Sequence, residues 1–134
     1  MTAELTKDSI DIGIVITDIE KSIAFYHDLL GFEQAGELAM PGGGTMYRLM
    51  CGTSAIKLIL PGHMPPAVAP PGGIQGATGY RYCTISVSNI EELVTECIAA
   101  GHPVPVPVTL LRPGITIAIV ADPDGNWVEF VQTG

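Results

Sequence analysis

Residues 10–33 read IDIGIVITDIEKSIAFYHDLLGFE, and residues 82–104 read YCTISVSNIEELVTECIAAGHPV. The two segments share one grammar. A shift of 71 places Asp18 on Asn89, Ile19 on Ile90 and Glu20 on Glu91. A repeated segment constrains the fold more than any single motif, because each copy must form the same supersecondary unit. Each copy opens with β-branched residues, Ile10–Ile16 and Tyr82–Val87, that read as a strand. Each then meets a capping-box pattern, Thr17-x-x-Glu20 and Ser88-x-x-Glu91, which predicts a helix start. Apolar residues follow at helical spacing: Ile19, Ile23, Tyr26 and Leu30 in the first copy, Ile90, Val94, Cys97 and Ile98 in the second. Gly31 and Gly101 stand where helix C-caps are expected.

Extended segments follow each helix. They are 32–38, 45–51 and 55–60 in the first half, and 104–110, 115–120 and 127–131 in the second. PGGG at 41–44 and DPDG at 122–125 supply turns. The reading is α+β, as βαβββ twice: module one over about 8–60, module two over about 80–133, together one domain over 1–134. Between the modules runs a Pro/Gly-rich stretch without periodicity, residues 61–79, which reads as a linker, a lid or an interface segment.

Composition narrows the class. The chain is 47% apolar and 15% charged, which excludes a disordered segment. No apolar run reaches the ~20 residues of a membrane helix, and Met1–Ser9 is polar rather than signal-like. Three cysteines without CxxC spacing, Cys51, Cys83 and Cys97, read as small buried hydrophobes in a reducing, cytoplasmic setting. A net charge of −8 argues against nucleic acid and anionic membranes as partners.

The duplicated βαβββ pattern, with GIVITDIEKSIAFYHDLLGFE near the start and ADPDGNWVEF near the end, resembles the vicinal oxygen chelate superfamily of glyoxalases, bleomycin-resistance proteins and extradiol dioxygenases. The resemblance covers about residues 8–133. It implies two modules forming a half-open curved sheet around a cavity, with helices outside, and a homodimer as a common assembly. It also implies a metal held by one residue from each of four strands. Those positions fall on Asp11, Lys57, Tyr82 and Glu129. Asp11 plus 71 is Tyr82, while Lys57 and Glu129 differ by 72, as one insertion would give. Glu129 alone keeps the usual ligand type. A protonated lysine has no lone pair to offer a metal. No 2-His-1-carboxylate set is present, since His27 lies on the first helix as a surface residue, His102 follows the second helix, and only His63, in the linker, is a candidate near a ligand. The expectation is therefore no metal and no cofactor; a metal, if bound at all, would use Asp11 and Glu129.

Strand parity gives a lined face independently of the family. Asp11, Lys57, Tyr82, Thr84 and Glu129 alternate away from the apolar side of their strands. We expect Lys57 to occupy the charge niche of the missing metal, with Asp11 and Glu129 converging on it. A carboxylate there would take a proton beside a carbonyl, and Lys57 or the Tyr82 hydroxyl would steady the enolate oxygen. The same three charges also suit a structural ion network. Trp127 and Tyr80 suit the walls of a planar ligand site, or core or dimer packing. Met46 and Met50, with Met40 and Met64, suit a plastic apolar pocket or core filling. Arg48 faces either way, depending on the turn at 52–54. Arg81 and Arg112 suit a carboxylate grip or a surface role, and Arg81 has helix-face parity.

Three functions compete on this reading. The first is a metal-independent isomerase, epimerase, lyase or cyclase acting on a small oxygenated molecule. The second is a non-catalytic binding protein of the bleomycin-resistance kind. The third is a metal-dependent glyoxalase or dioxygenase, which the missing histidines oppose. Lys57 and Arg48 favour an anionic small-molecule ligand.

Overall fold

The computed structural model describes all 134 residues. The chain divides into two compact units, Met1–Pro65 and Pro66–Gly134. Each is an α+β βαβββ unit with one four-stranded mixed sheet.

In the first unit β1 is Ile12–Val15, β2 is Glu33–Ala39, β3 is Gly44–Cys51 and β4 is Ser54–Pro61. The sheet order is β1-β4-β3-β2, with β1 parallel to β4 and the other pairs antiparallel. Helix α1 covers Ile19–Ile23 and continues as a π-helical segment, Ala24–Leu29. The helix does not start with the expected Thr17 box. Asp18 is the N-cap, and its carboxylate accepts from the Lys21 amide at 3.1 Å. Asp18 sits in extended backbone one residue closer to the helix, and its short carboxylate reaches the third helical amide. The π widening lets the adjacent Phe25 and Tyr26 both bury, at 0% and 1% exposure, with ring centroids 4.8 Å apart edge to face. Beneath them lie Ile16, Leu49, Ile56 and Leu58, all buried. Each large apolar side chain hidden this way contributes roughly 1.5–3 kcal/mol.

Ser22 is the exception on this face. It is 0% exposed and its hydroxyl has no hydrogen-bond partner. An unpaired buried hydroxyl is a cost that alanine removes. Ser22→Ala should raise unfolding stability by about 1 kcal/mol, read by urea denaturation with an unchanged slope.

The second unit repeats the plan. β5 is Tyr82–Ser86, β6 is Val106–Arg112, β7 is Ile115–Ala121 and β8 is Trp127–Thr133, in the order β5-β8-β7-β6. Helix α2, Ile90–Ala99, buries Ile90, Leu93, Val94 and Cys97, while Ile98, expected in the stripe, is 60% exposed. The 100° step per residue carries Ile98 off the face that Cys97 occupies. Its start is also capped differently from expectation. Asn89 is the N-cap but makes no side-chain cap bond; the Gln132 side chain from β8 accepts from the Ile90 amide at 2.8 Å. The end matches expectation. Gly101 has φ 88°, its amide donates to Ile98 and the His102 amide donates to Cys97, a Schellman closure. Under α2 pack Ala118, Val120, Val128 and Phe130.

Strand registers reproduce the repeat. Ile12 pairs with Ile56, and Cys83 with Val128, so the first strands are offset by 71 and the last by 72. The extra residue lies in the last hairpin. Cys51 pairs with Ser54 across two loop residues, whereas the equivalent Asp122 amide bonds the Asn126 carbonyl across three. No helix is long and apolar enough to cross a membrane.

Candidate functional site

The registers decide which side chains share a face. In the first unit Leu49 pairs with Ile56 and Tyr47 with Leu58, on the face carrying the buried core. Arg48 pairs with Lys57, so both lie on the opposite face, directly across adjacent strands. The two-residue Gly52-Thr53 turn sets this register, with Gly52 at φ 60° at the first loop position. That resolves the side of Arg48. Met46, paired with Ile59, and Met50, paired with Ala55, take the same face as Arg48. All four of Met46, Arg48, Met50 and Lys57 are half-buried. Across the parallel pair Gly13 stands beside Lys57. A side chain added at Gly13 would meet only Ile59, at 3.9 Å, so the space next to Lys57 is open.

Asp11 precedes β1 and is already engaged. Its Oδ1 accepts from Lys7 Nζ at 2.7 Å and from the Ala55 amide at 2.8 Å. Lys7 also donates to the Thr53 carbonyl, as does the Ser9 hydroxyl, which ties the segment before β1 to the β3–β4 turn. The Lys7 hydrogen bond, then the Ala55 amide, hold the Asp11 carboxyl below its usual value, with a smaller Coulombic contribution from Lys57. A carboxylate so held is a weak base.

In the second unit Tyr82 pairs with Trp127, and Thr84 with Glu129. The Thr84 hydroxyl donates to Glu129 Oε1 at 2.7 Å, leaving Oε2 outside that bond. Tyr82 is 47% exposed and Tyr80 is fully exposed. Cys97 is no nucleophile, because burial, with Glu96 adding, pushes its thiol up to about 11. Burial raises Cys51 as well.

Arg81 and the linker were not legible as partners. Arg81 Nε donates to the Gly73 carbonyl and Nη2 to the Pro70 carbonyl, each at 2.6 Å. The guanidinium thereby fastens residues 70–76, including a 3₁₀ turn at Gly73–Gln75, to the start of β5 within the second unit. Gly73 lies against the Trp127 ring, where an added Cβ would come within 2.3 Å of it. Trp127 is thus a packing surface for the linker on that side. A hollow of about 280 Å³ remains beside it, walled by Tyr80, Trp127, Asp124, Asn126 and prolines of the linker and β6 approach. Sequence offered one signal for this contact, the run of glycines at 72, 73 and 76. His63, in the same linker, is exposed, and Arg112 is exposed at the end of β6.

The positions that the sequence resemblance assigns to metal ligands hold Asp11 and Lys57 in the first unit and Tyr82 and Glu129 in the second. This set does not fit a divalent ion. Lys57 brings positive charge and no lone pair, and Asp11 has committed an oxygen to Lys7 and Ala55. No group of three or more His, Cys, Asp or Glu is arranged to hold a metal.

The family model described as Glyoxalase/Bleomycin resistance protein/Dioxygenase superfamily matches residues 10–130. No curated protein matches the sequence. Among solved structures, the chain is similar to the glyoxalase family protein from Bacillus cereus, with a TM-score of 0.82, 17% identity and coverage of 99% of this chain and 98% of that one. It is similar to the trypanothione-dependent glyoxalase I of Leishmania major, with a TM-score of 0.75, 20% identity and coverage of 95% and 87%. It is also similar to TnmS3, an antibiotic-binding protein from Streptomyces, with a TM-score of 0.67, 18% identity and coverage of 98% and 100%. At these identities the structural likenesses speak to fold.

Proposed function

Because the chain belongs to the glyoxalase/bleomycin resistance protein/dioxygenase superfamily, we propose that it takes a small oxygenated organic molecule as its ligand and works on it without a catalytic metal. The observation that carries this reading is Lys57. An ammonium stands at a strand position where metal-dependent relatives need an electron-pair donor, in register with the small Gly13. A fixed cation substitutes for the charge of a metal in one respect only, as a stabiliser of an oxygen anion. The roles follow residue by residue. In the first unit Lys57 is assigned to steady an oxygen anion; in the second, Glu129 is assigned to accept a proton and the Tyr82 hydroxyl to donate one. Thr84 holds one Glu129 oxygen and leaves the other for proton transfer. Asp11, held by Lys7 and Ala55, is assigned to position the β1 end rather than to act as the base. The reaction class is isomerisation, epimerisation or elimination beside a carbonyl. The cytoplasm and a homodimer complete the proposal.

A second reading is ligand binding without chemistry; TnmS3, of similar fold, is an antibiotic-binding protein. It gains from the engagement of Asp11, which removes one candidate base. The comparison that separates the two uses Lys57→Ala and Glu129→Gln, with ligands found by native mass spectrometry of a panel of small oxygenated acids. The enzyme reading expects proton exchange at the carbon next to the carbonyl to fall by about 10²–10⁴ in Glu129→Gln, with ligand affinity kept. Exchange absent from the wild type, together with tight binding lost in Lys57→Ala, would establish sequestration instead.

A further inference from the structure

We infer that Arg48 and Lys57 form an oxyanion subsite, so that the molecule taken by this protein carries a carboxylate or phosphoryl group. The inference deepens the proposed function and rests on it for the use of the site. Its physical ground is separate and lies wholly within the first unit.

Arg48 and Lys57 are direct cross-strand partners on one face of β3 and β4. Residues so placed have Cβ atoms about 4.5–5.5 Å apart, and like charges there repel. Cations in this position are ordinarily offset by an acid. Here the side chains of Arg48 and Lys57 make neither an ion pair nor a hydrogen bond. Asp11 is the acid whose field reaches Lys57, but its carboxylate is bonded to Lys7 and the Ala55 amide. Both cations are half-buried, so water screens them less than it screens an exposed pair. The chain has only six lysines and arginines against 14 acids, yet two of the six stand opposed without a partner.

Such a pair is destabilising when empty and is relieved by an anion that bridges it. The guanidinium offers a planar fork for two oxygens, and the ammonium adds a point charge. Gly13, beside Lys57, leaves room for the bound group, and Met46 and Met50 flank Arg48 with adaptable apolar surface for the carbon part of the ligand. The chemistry selected is an organic acid or organic phosphate rather than a neutral or cationic compound.

The test is thermal unfolding of the full chain with phenyl phosphate, benzoate or neutral benzamide as probe, in chloride at matched ionic strength. Wild type, Arg48→Gln, Lys57→Gln and the exposed-cation control Lys21→Gln are compared. Without probe, removing either opposed cation should leave the melting temperature unchanged or raise it by about 1–4 °C. With probe, wild type and Lys21→Gln should be stabilised by at least one of the two anions and not by benzamide. Arg48→Gln and Lys57→Gln should bind that anion about tenfold more weakly or worse. Arg48→Lys should retain part of the response, because it keeps charge and loses the fork. Preference for benzoate marks a carboxylate ligand, and preference for phenyl phosphate a phosphoryl one; both support the subsite. No response in the wild type, or an equal response in all variants, overturns it. Metal content is not touched by either outcome, so the subsite and the metal-free reading fail independently.

Discussion

Phe130→Ala should lower the unfolding free energy by about 3–5 kcal/mol, the largest loss expected from one substitution in this chain. Phe130 is 1% exposed at the centre of β8, paired with Ile85 on β5 and Ala118 on β7. Its ring lies on the face that α2 covers with Ile90, Val94 and Cys97. Truncation removes the transfer free energy of the ring and leaves a cavity. The surrounding strands, hydrogen-bonded on both sides, cannot close into it. Because the alternating residue Glu129 lies on the other face, the substitution leaves the site chemistry in place. Urea denaturation checks the loss, and a midpoint falling by less than the equivalent of about 1 kcal/mol would show that this face is not the core described here.

Gly73→Ala should free the linker from Trp127. Gly73 has φ 55°, in the left-handed region, and an added Cβ would sit 2.3 Å from the indole ring. The backbone conformation alone costs of order 1–3 kcal/mol for a residue with a side chain. The ring contact adds to it, since Trp127 is held in β8 by pairing with Tyr82 and Ala121. The cheaper response is for residues 70–76 to lift away, breaking the Arg81 bonds to Gly73 and Pro70. Trp127 is the only tryptophan, so its emission reports the event directly. The expected result is a red shift, faster quenching by iodide and new proteolytic cuts within 66–79, with the unfolding midpoint lowered by the equivalent of about 1–3 kcal/mol. Unchanged emission would mean that the linker does not rest on the ring.

The repeat was the most legible feature. An offset of 71 between Asp11 and Tyr82, and of 72 between Lys57 and Glu129, was visible in the letters, and strand pairing carries those offsets. Alternation placed Tyr82, Thr84 and Glu129 away from the apolar side, because strand parity is local and needs no partner. What depended on a partner was not legible. Arg48 was assigned a face only once the Gly52-Thr53 turn fixed the β3–β4 register. The cap of α2 comes from Gln132, 42 residues away, so no local pattern around Ser88 announced it. Asp18 displaced Thr17 as the α1 cap, a choice between two good capping residues that backbone geometry made. Alternation gives Arg81 helix-face parity, yet it stands just before β5 and fastens the linker through carbonyls of Pro70 and Gly73, and the path of a Pro/Gly-rich segment has no periodicity to read. Tyr80 and Trp127 were expected to act alike as ring walls. They border one hollow, but Gly73 covers Trp127 while Tyr80 stays open to solvent.

In the proposed function Lys57 replaces a metal by its own charge. Elemental analysis of the purified protein, before and after dialysis against EDTA and with thermal unfolding recorded on both samples, tests it most directly. We expect substoichiometric zinc, nickel, manganese and iron throughout and one melting temperature for both samples. One equivalent of any of these ions, removed by the chelator with a fall in melting temperature, would contradict the account.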